Sequence, residues 1–123
     1  MMGARRVAIL AFLGALLSGV ANAQEAKPGA LYSVEGGGGR YLIAKVLAVE
    51  RGGIHVRLYK NRFDSRPTKV EFKSLSIVME HLPITHKQFR EWHPVYISDS
   101  PVTENELEGY RRWQDAGGGF LGP

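Results

Sequence analysis

The chain of 123 residues contains no cysteine. That absence excludes a disulfide framework, a thiolate metal site and a lipid-modified cysteine, so stability has to come from packing alone. Long hydrophobic runs are missing as well. The longest covers residues 7 to 17, against the roughly 20 residues that a membrane-spanning helix needs. The glycines at 36 to 39 are followed by Arg40 and Tyr41 rather than by Lys-Ser or Lys-Thr opening a helix, which excludes a phosphate loop. No serine lies in Gly-x-Ser-x-Gly, the turn that would expose it as a nucleophile. His55, His81, His86 and His93 are spaced 26, 5 and 7 apart, which puts no two of them one helical turn apart, and no His-Glu-x-x-His completes a zinc pattern. Neither a metal nor another cofactor is expected. Glu104, Glu106 and Glu108 cluster, but acids at a helix start are accounted for by the helix dipole. Without a recognisable catalytic constellation, the expectation is a protein that is not an enzyme.

What is present begins with a leader. Arg5 and Arg6 precede the apolar run, and Ala21-Asn22-Ala23 follows it. This is the order of a positive n-region, an apolar h-region and a small-residue cleavage site. Residues 1 to 23 therefore read as a cleavable signal peptide, and the expectation is a periplasmic or secreted protein with no stable membrane insertion after cleavage. Removing the two leader arginines takes the net charge from +4 to +2, with 14 basic residues against 12 acidic. The remaining charge is uneven. Residues 40 to 73 hold nine Lys and Arg against three acids, and residues 74 to 123 hold four against seven. A basic first half of this kind can attract an acidic partner, but opposite charges meeting within one domain are the favoured explanation. Export argues against nucleic acid as that partner.

Residues 24 to 29 read as a flexible lead, residues 30 to 116 as a single domain and the glycine-rich residues 117 to 123 as a flexible tail that Phe120 and Leu121 could tether. Within the domain, residues 31 to 34 predict a short strand before the glycine turn. Residues 40 to 50 are apolar on both alternating faces, as in a strand covered on both sides. A turn at Arg51-Gly52-Gly53 leads to residues 54 to 61, where Ile54, Val56 and Leu58 alternate inward and His55, Arg57 and Tyr59 outward. A further strand is expected over residues 68 to 73, with Val70 and Phe72 on one face, and a short one over residues 75 to 79. Thr85 with Gln88, and Thr103 with Glu106, are capping boxes that open two short helices. Pro94 stops the first, and Gly117 the second. Leu107, Tyr110 and Trp113 share one stripe of the second helix, which should dock on the sheet. His86 and His93 flank the first helix as packing residues.

Short, twisted strands between glycine turns close most economically into a small barrel. The stretch YLIAKVLAVERGGIHVRLYKNRF, residues 41 to 63, resembles the central hairpin of Tudor-like and agenet-like SH3-fold barrels. The resemblance implies a mainly β fold, a barrel of about five strands followed by two short C-terminal helices. It also implies that Tyr41, Tyr59 and Phe63 occupy the positions where that family builds an aromatic cage. Independently of it, His55, Arg57 and Tyr59 project from one strand face with Phe63 following, and an aromatic ring beside a guanidinium can hold a carboxylate, a sugar face or another ring. The candidate binding residues are thus Tyr41, His55, Arg57, Tyr59 and Phe63. The expected function is a non-catalytic module that recognises a protein or peptide through this aromatic and basic face. The alternative is an inhibitor or immunity-type protein of a secreted enzyme, with the loop at residues 62 to 67 as its plug.

Overall fold

Glycines divide the first half of the chain, and strands form between them. The computed structural model describes residues 26–123, so the leader assigned to residues 1 to 23 lies outside the described residues. Strand β1 (Ala30–Glu35) reaches β2 (Tyr41–Val49) through Gly37, Gly38 and Gly39. All three glycines have φ between +61 and +87°, which side-chain-bearing residues rarely adopt. The turn from β2 to β3 (Ile54–Phe63) is closed by the Glu50 amide, which donates to the Gly53 carbonyl at 2.9 Å. Here the need for glycine is steric: a Cβ on Gly53 would lie 2.2 Å from the Ile84 carbonyl oxygen. Strand β4 (Ile77–Ile84), helix α1 (His86–Glu91), strand β5 (Val95–Asp99), a 3-10 turn (Asn105–Leu107) and helix α2 (Glu108–Asp115) complete the order.

The strands form one antiparallel sheet in the order β4-β3-β2-β1-β5. It is mainly a β fold with two short helices, and the sheet is open. No pairing joins β4 to β5, so closure into the expected small barrel is not seen. Register shifts in the β1–β5, β2–β3 and β3–β4 pairings bend the sheet without closing it.

Each face of the sheet carries a different cover. One presents Tyr32, Val34, Ala44, Val46, Ile54 and Val56 to α1, whose Phe89 is fully buried. Phe89 meets the Tyr32 ring edge to face at 5.4 Å between centroids, and burying such a ring is worth about 1.5–3 kcal/mol. Thr85 caps this helix as its sequence predicts, its Oγ1 accepting from the Gln88 amide at 3.1 Å. The reciprocal arm of the box is replaced: the Thr85 amide donates to the Leu121 carbonyl, and the Leu121 amide to that of Pro83. Leu121 thereby bridges to Ile84. Phe120 and Leu121, the two residues able to tether the tail, both do so.

The second face is divided. Leu31, Ile43 and Tyr59 lie under Phe63 at the end of β3 and under Val70 and Leu75 of the segment joining β3 to β4. Lys45, His55 and Arg57 lie under the C-terminal elements and are buried too. Two expectations need correcting here. The strand over residues 68 to 73 does not form; that stretch is irregular and ends in a 3-10 turn, Phe72–Ser74. Of that stretch only Val70 is half-buried, and the ladder next to β3 is taken instead by β4, which runs to Ile84 rather than stopping near Met79. The second concerns His55, Arg57 and Tyr59. They share one face, opposite Ile54, Val56 and Leu58, but that face is covered, not turned to solvent.

Candidate functional site

The covered face is unusually polar, and two networks neutralise it. In the first, Lys45 is fully buried on β2. Its ammonium lies 3.1 Å from both carboxylate oxygens of Glu106, donates to the Pro101 carbonyl at 2.9 Å and to Ser100 Oγ at 3.3 Å, and sits 4.7 Å above the Phe72 ring. Arg57 approaches the same carboxylate at 3.8 Å, and its Nε donates to the Glu80 carbonyl. Glu106 also closes the second capping box, accepting from the Thr103 amide at 2.8 Å while its own amide donates to Thr103 Oγ1. Burial by itself pushes the Glu106 carboxyl up, but the Thr103 amide and the Lys45 and Arg57 charges outweigh it and hold the group below its ordinary value. The acid that the sequence assigns to a helix start is therefore also the counterion of two buried cations.

In the second network the antiparallel register brings His81 of β4 diagonally beside His55 of β3, two positions from the His55–Pro83 pair. Their rings stack at 5.1 Å, with His55 Nδ1 2.9 Å from His81 Nε2, and His55 Nε2 lies 2.6 Å from Glu50 Oε2. Burial lowers the His55 pKa against the raising effect of Glu50, and burial, His55 and Arg112 lower that of His81 to about 4. Both rings are neutral near pH 7, so the contact with Glu50 is a hydrogen bond rather than an ion pair. A carboxylate can only accept, which fixes the protons along the chain. His55 Nε2–H donates to Glu50, His81 Nε2–H donates to His55 Nδ1, and His81 Nδ1 is left with a lone pair. Tyr110 and Trp113 of α2 and Phe120 of the tail close around His55 at 4.5, 4.4 and 5.3 Å between centroids.

The five candidate residues are thus brought together only in part. His55 and Arg57 serve the two networks. Tyr59 is buried beneath Phe72 with a hydroxyl that has no hydrogen-bond partner among the described residues. Burial, reinforced by Glu106, pushes that hydroxyl's pKa up to about 12. Tyr41 and Phe63 are cross-strand partners and half-buried. The cation over the Tyr41 ring is the chain's own Arg66, at 4.7 Å. Arg66 is pinned by hydrogen bonds to the Ser33 carbonyl and hydroxyl and by Glu35, which draws the loop at residues 62 to 67 back onto the sheet. His86 Nε2 donates to the Glu50 carbonyl at 2.7 Å, and His93 meets Glu35 at the surface.

The open sheet has two outer edges, that of β5, where Val95 and Tyr96 are exposed, and that of the longer β4. Ile77, Val78 and Met79 are 45, 58 and 43 % exposed. They lie on an edge strand whose only outer partner among the described residues is Leu121, at the far end. At the Ile77 end, the Lys60 amide donates to the Ser76 carbonyl, and Asn61 holds residues 74 and 76 through its side chain. Lys60, Arg62 and Lys73 therefore gather beside that end, all exposed and without an acidic partner among the described residues. Nothing in residue type alone signals this surface; it follows from which strand becomes the edge. No family model, no curated protein and no solved structure matches the chain.

Proposed function

We propose that this protein is a non-catalytic binding module, acting outside the cytoplasm once its leader is removed, that takes an extended acidic and apolar segment of a partner protein along the free edge of β4. The observation that carries this reading is the edge itself. An edge strand with apolar side chains on both faces and no lysine at its centre is a template for another strand, and β4 keeps that character although its register on β3 shifts between Ile77 and Leu82. Strand addition supplies affinity through main-chain hydrogen bonds and specificity through alternate side chains. The unpaired cluster of Lys60, Arg62 and Lys73 favours a segment with acids flanking its apolar centre, and such charges speed encounter as well as select the partner. Recognition through the His55, Arg57 and Tyr59 face is set aside, because the C-terminal elements and the segment around Phe72 cover it. The SH3-like reading of the fold draws support from the strand order, a four-strand meander whose first strand is joined by the fifth, as small bent barrels require.

The test is a labelled ten-residue peptide with two central isoleucines flanked by glutamates, followed by fluorescence anisotropy on the full protein. The reading expects saturable binding, at least tenfold weaker for Val78→Lys, and a shallower salt dependence for Lys60→Glu. Equal binding by Val78→Lys would overturn it. So would a stable dimer of the free protein in sedimentation, because the edge would then belong to a second copy.

A further inference from the structure

A second surface opens on the side of β4 that faces α2. There Met79, Glu80, His81, Gly109, Arg112 and Trp113 line a groove of about 530 Å³. Its chemistry is mixed in a particular way. The Arg112 guanidinium is exposed and has no acidic partner among the described residues. It lies close to His81, since a Cβ on Gly109 would fall 2.7 Å from His81 Cβ and 3.9 Å from an Arg112 nitrogen. The Trp113 indole is half-buried, is oriented by its Nε1–H donating to the Gly119 carbonyl at 2.7 Å, and stands 6.2 Å from the His81 ring. His81 Nδ1 keeps the lone pair that the Glu50 and His55 relay assigns to it and has no hydrogen-bond partner among the described residues. Glu80 adds an exposed carboxylate that can only accept. One cation, two acceptors and an aromatic plate thus line one groove, and Gly109, where a Cβ would meet that of His81, lets α2 approach β4 closely.

We propose that this groove binds a carboxylate carried on a hydroxylated ring, that is, an acidic sugar residue. Arg112 pairs with the carboxylate, the apolar face of the ring lies against Trp113, and the ring hydroxyls donate to His81 Nδ1 and Glu80. A neutral sugar leaves Arg112 unpaired, and an aromatic carboxylate leaves both acceptors unused. The proposal is independent of the strand-edge reading, which concerns the outer rim of β4.

The experiment titrates the full ¹⁵N-labelled protein with glucuronate, glucose and benzoate, following the Trp113 indole signal, identified with a Trp92→Phe variant, and the ring nitrogens of His81. The expected result is a saturable shift of both signals with glucuronate. Binding should be at least tenfold weaker with glucose and with benzoate, and lost in Arg112→Gln, whose exposed position leaves the fold intact. Absence of a shift with glucuronate, an equal response in Arg112→Gln, or comparable binding of glucose or benzoate would each overturn the assignment.

Discussion

Lys45 and Glu106, 61 residues apart in the chain, face each other so closely that one ammonium reaches both carboxylate oxygens at 3.1 Å. This pair ties the C-terminal elements to the middle of the sheet. Removing the carboxylate leaves Lys45 and Arg57 buried without a counterion, and breaking such a pair costs about 3–5 kcal/mol. Glu106→Ala is therefore expected to lower the urea midpoint sharply. Replacing both partners with apolar residues of similar volume, Lys45→Met with Glu106→Leu, should recover much of that loss. A double-mutant cycle from urea unfolding checks both outcomes; a Glu106→Ala loss under 1 kcal/mol would mean that the pair does not hold the cover in place.

Acid should loosen the same cover from its other end. In the unfolded chain His81 titrates near 6.5, and in the fold near 4. Between those values the unfolded state binds the extra proton, so stability is full above about pH 6.5 and is lost as pH falls toward 4. Discounted for the partial exposure of His81, the loss is of order 2 kcal/mol. His55 adds to it in the same direction, because its pKa is lowered too. Glu106 extends the loss to lower pH, since a depressed carboxyl contributes stability that disappears as pH drops through its folded value. Urea midpoints between pH 7.5 and 4 should fall steadily in the native protein and more shallowly in His81→Leu.

The β2–β3 hairpin was legible because a glycine turn sits between two alternating runs, and both signals are local. The cap at Thr85 was legible for the same reason. The nature of the second face was not. Alternation gives the phase of a strand, and Lys45, His55 and Arg57 have side chains that are ordinarily solvated. Their burial depends on Glu106, His81 and Phe120, which pairing and chain return bring in from 26 to 65 positions away. The irregular residues 68 to 73 alternated as a strand does, and only the capture of the β3 edge by β4 decided against it. The signal peptide reading concerns residues beyond those described.

The tail contributes to stability through one tight approach. Phe120 packs over Gly53, where a Cβ would meet both its ring at 2.5 Å and the Ile84 carbonyl at 2.2 Å. Gly53→Ala cannot be relieved by moving the phenyl ring alone, and overpacking of this kind costs about 1–3 kcal/mol. Phe120→Ala should cost about 3 kcal/mol, and Gly53→Ala should keep most of its own cost when added to it, because the Ile84 carbonyl still blocks the Cβ once the ring is gone. Thermal unfolding of the two single variants and the double variant measures this coupling.

Hydrogen exchange along β4 tests the central claim most directly. In the free protein the outward amides between residues 77 and 82 have no strand beside them, so they are expected to exchange rapidly while the amides of β2 and β3 are protected. Adding the acidic and apolar peptide should slow those β4 amides at least tenfold and leave the α2 amides unchanged. If the peptide binds and the β4 amides exchange as before, or if protection appears on α2 instead, the edge of β4 is not the binding surface.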